Sequence, residues 1–288
     1  SLREREDERN NFLEEIKRRI SEGESTVSLL RSFFPEEIVV YADGGYSFFP
    51  ISDTLKKHDY VYENFVKQEN EEIVYVDEER NIRSVKGIDV SKHQGEIEWD
   101  KVAKDGVSYA FIRAGYRGST EGKLVEDEFF ADNVEGAAEN DVAVGIYFYT
   151  QAMTPEEAKE EAEFVVDLIE PYEITYPVVL DLEETESASA RTAKMTKEEY
   201  TKVAVAFCET IKEAGYTPMI YGNLKTFMIM LDMEQLEDYE KWFAYYDETV
   251  YFPYAFNIWQ YSSKGKIAGI YADVDMNICM KDYVQGNE

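Results

Sequence analysis

The chain has 288 residues, 44% of them hydrophobic and 31% charged, with 22 Tyr and 16 Phe, which excludes a disordered polymer or a peptide-sized scaffold and leaves room for one barrel-sized domain with a smaller companion. Against 30 basic residues stand 60 acidic ones, a formal net charge of −30 that excludes sequence-independent nucleic-acid binding and adhesion to an anionic membrane, since both need cations facing phosphate. No run of 18 apolar residues is present to span a bilayer, and Cys208 and Cys279 are too few for a disulfide framework or a zinc site; they read as free thiols, one disulfide being the alternative.

The chain opens at Ser1 with no signal-peptide pattern, and a natural leader or membrane anchor is expected upstream. Residues 2–21 are dense in charge and free of Gly and Pro, with Phe12, Leu13, Ile16 and Ile20 at helical spacing, so a helix or stalk is predicted over 1–22. Residues 38–41 and 46–51 are β-prone and flank Asp43-Gly44-Gly45, a hairpin signal. Residues 55–66 read as a helix and 73–76 as a strand before the polar stretch 77–84, which predicts a small α+β accessory domain over 23–85.

From residue 86 the pattern changes to short apolar runs alternating with amphipathic stretches, as in βα units around a parallel sheet. Strands are predicted at 87–90, 109–114, 143–150, 177–182, 217–222, 242–245, 256–261 and 273–278, and eight strands suggest a barrel over 86–288. Helices are predicted at 126–140, at 155–169 with Pro155 in the first turn, and at 197–214 ending on Gly215. The last three strands have connections too short for full helices, so the barrel should be irregular at its C-terminal end. Residues 87–288 carry a charge of −23 against −7 for residues 1–86.

The apolar strand at 177–182 runs straight into Asp181 and Glu183, and the C-terminal ends of parallel barrel strands are where active sites are built. Two residues apart on a strand, these acids share a face with their Cα atoms roughly 6 to 7 Å apart. Like charges held that close in a poorly solvated cleft push one pKa upward, so that one carboxyl keeps a proton while its partner is ionised, the requirement for glycoside hydrolysis. The same pair also fits a solvated strand exit or a cation site. Asp89 ends the first strand and Asp275 lies in the last; barrel closure would make these strands neighbours and gather four carboxylates. Such an oxygen-rich cluster suits Mg²⁺ or Ca²⁺ as well. The surrounding strand ends are aromatic, with Tyr116, Tyr147, Tyr149, Tyr221, Trp242, Tyr245, Trp259 and Tyr261, which fits stacking on sugar faces; for each ring alone, core packing is the competing explanation.

Gly87-Ile-Asp-Val-Ser-Lys-His-Gln-Gly95, Phe111-Ile-Arg-Ala-Gly-Tyr116, Gly145-Ile-Tyr-Phe-Tyr149, Pro177-Val-Val-Leu-Asp-Leu-Glu183, Ile220-Tyr-Gly222, Trp242-Phe-Ala-Tyr245, Ile258-Trp-Gln-Tyr-Ser262 and Val274-Asp-Met-Asn277 follow one another over about 200 residues. In this order they resemble the glycoside hydrolase family 25 lysozymes, the Chalaropsis-type N-acetylmuramidases. The resemblance implies an irregular TIM-like (β/α)5(β)3 barrel and a peptidoglycan muramidase that cleaves the β-1,4 bond between N-acetylmuramic acid and N-acetylglucosamine with retention. It makes Glu183 the proton donor and Asp181 its partner carboxylate, as nucleophile or as the group that orients the substrate's acetamido. Asp89 and Asp275 would hold hydroxyls or water. Tyr147, Tyr149, Tyr221, Trp242, Trp259, Gln260, Tyr116 and Arg113 would bind the glycan strand, with no metal and no cofactor.

His93 reads as structural rather than as a general base, and Arg113 and Arg191 as candidates for a substrate carboxylate, with Arg113 also placed to pair with an acid. Phe148 stands where many relatives have His, and Leu224-Lys225 where a Trp is common, which bears on fine specificity. The expected setting is extracellular or cell-surface, as a monomer on peptidoglycan. The rivals are a catalytically silent peptidoglycan-binding protein and a metal-dependent hydrolase.

Overall fold

The computed structural model describes residues 1–284, which divide into two compact units, residues 1–54 and residues 55–284. In the first unit, helix α1 (Leu2–Ser21) is capped by Ser1 and Glu4 in a reciprocal capping box, and α2 (Thr26–Phe33) is capped by Ser25. Strands β1 (Glu37–Ala42) and β2 (Gly45–Pro50) form the expected hairpin. Its two turn residues, Asp43 and Gly44, have φ of 54° and 76°, the type I′ geometry that an Asp-Gly pair favours.

The second unit begins with a segment that the sequence reads as a helix over 55–66 and the structure does not form as one. Lys57 bridges to Tyr254, the His58 Nε2–H donates to the carbonyl of Phe252 at 2.6 Å, and the Tyr60 hydroxyl donates to the carbonyl of Phe256 at 2.8 Å. Bonds made to a distant strand connection outweigh helical propensity here. A single 3₁₀ turn at Tyr62–Asn64 follows, then a short hairpin of β3 (Phe65–Lys67) and β4 (Ile73–Tyr75). Residues 55–84 thus belong to the same compact unit as the barrel, whereas the sequence groups them with the N-terminal part.

The barrel strands are β5 (Val85–Val90), β6 (Tyr109–Arg117), β8 (Ala143–Tyr149), β9 (Val178–Asp181), β10 (Pro218–Gly222), β11 (Glu240–Ala244), β12 (Ile258–Gly265) and β13 (Val274–Cys279), with β7 (Leu124–Glu126) paired antiparallel to β6. β5 pairs with β6 on one side and β13 on the other, closing a ring of eight strands. All neighbours are parallel from β5 round to β12, and β13 runs antiparallel to both β12 and β5. Helices α3 (Trp99–Lys104), α4 (Phe130–Glu139), α5 (Pro155–Ile169) and α6 (Lys197–Glu213) connect the earlier strands. Only short turns at Thr226–Met230 and Met233–Leu236 lie between β10 and β11.

α5 starts where Thr154 accepts a hydrogen bond from the Glu157 amide, with Pro155, Glu156 and Glu157 in the first turn, an arrangement suited to the positive end of the helix dipole. α4 starts four residues later than expected because residues 124–126 pair with β6 and the Asp127 carboxylate caps the Phe129 amide instead. Inside the barrel, Tyr109 stacks on Tyr176 and Phe111 on Trp242, each at 4.5 Å between ring centroids. Gly87 is required beneath Tyr109, since a Cβ there would come within 2.1 Å of that ring. Phe111 and Trp242 form an apolar floor, and the ends of the strands above it stay open. Both cysteines are buried free thiols, as expected.

Candidate active site

The C-terminal ends of the parallel strands, together with the start of β13, surround a cavity of about 550 Å³, within the range of small-molecule clefts. Asp89 and Asp275 are direct partners across the β5–β13 pair, so their side chains share a face, and a hydrogen bond joins the carboxyls. Asp181 ends β9 in register with Tyr149 of β8 and Tyr221 of β10. Glu183, two residues on, is hydrogen-bonded to Asp181. Closure of the ring therefore brings all four acids to one cavity.

Their electrostatics follow from burial and crowding. Burial pushes all four carboxyls above the ordinary range; Glu183 raises Asp181 further, and Asp89 raises Asp275. Asp181 is 8% exposed and its Oδ1 has no hydrogen-bond partner among the described residues, an arrangement that disfavours a full charge on it. Each pair titrates as a unit and keeps a proton at a pH where an isolated carboxyl has lost it.

Arg113, Tyr116, Tyr147, Tyr149, Tyr221 and Trp242 line the same cavity, as the sequence predicts. Arg113 does so while its Nε donates to Asp127 at 2.8 Å and its guanidinium lies 5.0 Å from the centre of the Tyr116 ring. Two predicted residues are elsewhere. Trp259 has no solvent exposure and packs edge-on against Phe65 on the outer side of the sheet, so it does not line the cavity. Gln260 is buried beneath the site, bonded to Asp89, Tyr221 and Tyr246. Tyr245 and Tyr261 also lie off the cavity; Tyr246 lines it instead.

His93 lies at the rim and is exposed. Arg191 is held by the Gln151 carbonyl and Glu157, outside the cavity. Phe148 faces the helical layer against Phe164, so that departure from the family pattern does not reach the cleft. Lys225 pairs with Glu184, next to Glu183. Ser91, Lys92 and Gln94 add polar lining that the sequence reading missed. Asp127 and Asn277 were missed too, being buried partners of Arg113 and Asp89. Among the described residues no group of three or more His, Cys, Asp or Glu side chains is arranged to hold a metal ion.

A closed α/β barrel with paired, proton-sharing carboxyls in an aromatic cleft is the architecture of a glycoside hydrolase. The family model for glycosyl hydrolases family 25 matches residues 88–270, and the chain belongs to that family. It is 29% identical over 204 residues to the uncharacterized protein YegX of Escherichia coli K12, covering 68% of this chain and 69% of that one. Lysozyme M1 of Streptomyces globisporus is 27% identical over 206 residues, with 67% of each chain covered. The modular autolysin LytC of Streptococcus pneumoniae superposes with a TM-score of 0.63 at 24% identity over 83% of this chain. The chain spans 57% of the LytC chain.

Proposed function

We propose that the chain is a peptidoglycan muramidase that hydrolyses the β-1,4 bond between N-acetylmuramic acid and N-acetylglucosamine with retention of configuration. The observation that carries this reading is the hydrogen-bonded pair of buried Asp181 and half-buried Glu183, facing a cavity whose walls carry tyrosine and tryptophan. Before substrate binds, burial and the neighbouring Glu183 favour the shared proton on Asp181; with substrate bound it passes across the hydrogen bond to Glu183, which gives it to the leaving glycosidic oxygen. The Asp181 carboxylate then opposes the positive charge that grows on the anomeric carbon, directly as nucleophile or by orienting the substrate's acetamido. In the second half, Glu183 takes a proton from the incoming water. Hydrogen-bonded carboxyls are far closer than the roughly 6.5–9.5 Å that an inverting enzyme needs to lodge a water between them, which speaks against inversion.

Tyr116, Tyr147, Tyr149, Tyr221 and Trp242 offer ring faces to the glycan, Arg113 offers a cation to its carboxylates, and Asp89 and Asp275 hold hydroxyls or water. Full helices follow β5, β6, β8 and β9, and the short helical turns after β10 take the fifth helical place of a (β/α)5(β)3 barrel, while among the described residues no helix joins β11 to β12 or β12 to β13; the N-terminal unit is read as an accessory domain. The relatives named lysozyme and autolysin support a wall substrate. Action at the cell surface, as a monomer, completes the reading.

The test is digestion of purified peptidoglycan with mass spectrometry of the products. Reducing-end N-acetylmuramic acid is expected, and Glu183→Gln should lower turnover by about 10²- to 10⁴-fold while the melting curve is kept. Products ending in N-acetylglucosamine, or a folded Glu183→Gln protein with full activity, would overturn the assignment.

A further inference from the structure

The buried layer beneath the cavity is made of two amides. Asn277 has no solvent exposure; its Nδ2 donates to Oδ2 of Asp89 at 2.8 Å and its Oδ1 accepts from the Trp242 indole at 2.7 Å. Indole N–H is a donor only, so the Asn277 oxygen must face it and the Asn277 NH₂ must face Asp89. Gln260 repeats the arrangement. Its Oε1 accepts from the Tyr221 hydroxyl at 2.7 Å and the Tyr246 hydroxyl at 2.6 Å, and its Nε2 donates to the same Oδ2 of Asp89 at 2.8 Å. Oδ2 of Asp89 thus receives two N–H donors and is an acceptor that carries no proton. Asp275 lies across the strand pair, and its hydrogen bond to Asp89 requires one proton between the two carboxyls.

We propose that Gln260 and Asn277 are positioning residues that act through Asp89: oriented by Tyr221, Tyr246 and Trp242, they fix Asp89 as the ionised member of its pair and leave the proton on Asp275. The cavity then holds one permanent anion opposite the Asp181–Glu183 pair, placed to oppose the positive charge of the transition state. Burial raises both carboxyls; against it Asp275, Asn277 and Gln260 act to lower Asp89, while contact with Asp89 raises Asp275 further. The other groups facing Asp89 are Asp181 and Glu183 at β9, Tyr109 on β6, Tyr147 on β8, Tyr221 on β10 and Tyr246 after β11, with Arg113 as the cation acting on Asp181. Because Tyr221, Tyr246 and Trp242 also line the cleft, a bound sugar presses on the same groups that set the two amides.

The catalytic consequence rests on the proposed glycan cleavage; the proton assignment does not, and the experiment separates them. The full chain, labelled with ¹³Cγ-aspartate, is titrated by NMR as wild type, Gln260→Met and Asn277→Ser, with Asp89→Asn and Asp275→Asn to assign the signals and melting curves to confirm folding. In the wild type Asp89 should be ionised and Asp275 protonated at neutral pH. Each variant removes one donor to a charged group, and the Asp89 midpoint should rise by about one to two pH units. A protonated Asp89 in the wild type, or an unmoved midpoint in both variants, overturns the assignment. The pH profile of wall cleavage should show its acid limb rising with the Asp89 midpoint. A limb that stays in place while the midpoint moves refutes the catalytic role. A wild type that titrates as stated yet leaves peptidoglycan intact refutes the muramidase reading and leaves the proton assignment standing.

Discussion

Glu161 shows how much a single buried residue can store. Its side chain is wholly buried on α5, accepting from Arg117 Nε at 3.0 Å and from the Thr150 hydroxyl at 3.2 Å, while Oε1 has no partner among the described residues. Burial outweighs the attraction of Arg117 and moves the carboxyl from its ordinary 4.5 up to about 7. A raised carboxyl stabilises the fold fully below its unfolded value and loses that contribution as pH rises through the folded one. Thermal stability should therefore decline between about pH 4.5 and 7, by on the order of 3 kcal/mol at most. Glu161→Gln should flatten that decline in melting scans; an unchanged slope would refute it. Other residues teach side-chain parity. Trp242 and Ala244 face inward on β11, so the next inward position is Tyr246, and on β12 Gln260 faces inward while Trp259 and Tyr261 do not. Choosing aromatics by identity selected Tyr245 and Trp259, whereas the two-residue period of a strand selects Tyr246 and Gln260.

At the scale of elements, the local signals that held were those with their own chemistry. The hairpin turn at Asp43-Gly44 and the starts of α5 and α6 at Thr154 and Thr196 lie where the sequence predicts, because a positive φ or an N-cap is satisfied by neighbours in the chain. Thr154→Ala should cost about 1 kcal/mol, read as a lower denaturation midpoint at unchanged slope; no shift would mean that Pro155 and the acidic first turn suffice alone. The helix expected at 55–66 failed because its ring residues find better partners. His58, Tyr60 and Tyr62 bond to the backbone at Phe252 and Phe256, some 190 residues away. The late start of α4 has the same origin, since Asp127 is spent on Arg113 and on the Lys92 and Phe129 amides.

Over the whole molecule the charge of −30 sets the approach to any anionic wall. Between about 0.01 M and 0.15 M salt the screening length falls from roughly 30 Å to 8 Å, so the initial rate of wall digestion should rise with added salt over that range. A rate that falls steadily instead would show that local cations, Lys92 and Arg113 at the cleft, govern encounter. The sequence alone determined the period of the strands and helices, the place of the acids at strand ends and the hairpin turn, since each depends on residues close together in the chain. The tertiary structure decided which acids form pairs, which rings reach the cavity, and that Gln260 and Asn277 serve Asp89. Those relations join β5, β12 and β13, whose contacts exist only once the barrel closes, and burial gives the joined groups an electrostatic character that none has in an open chain.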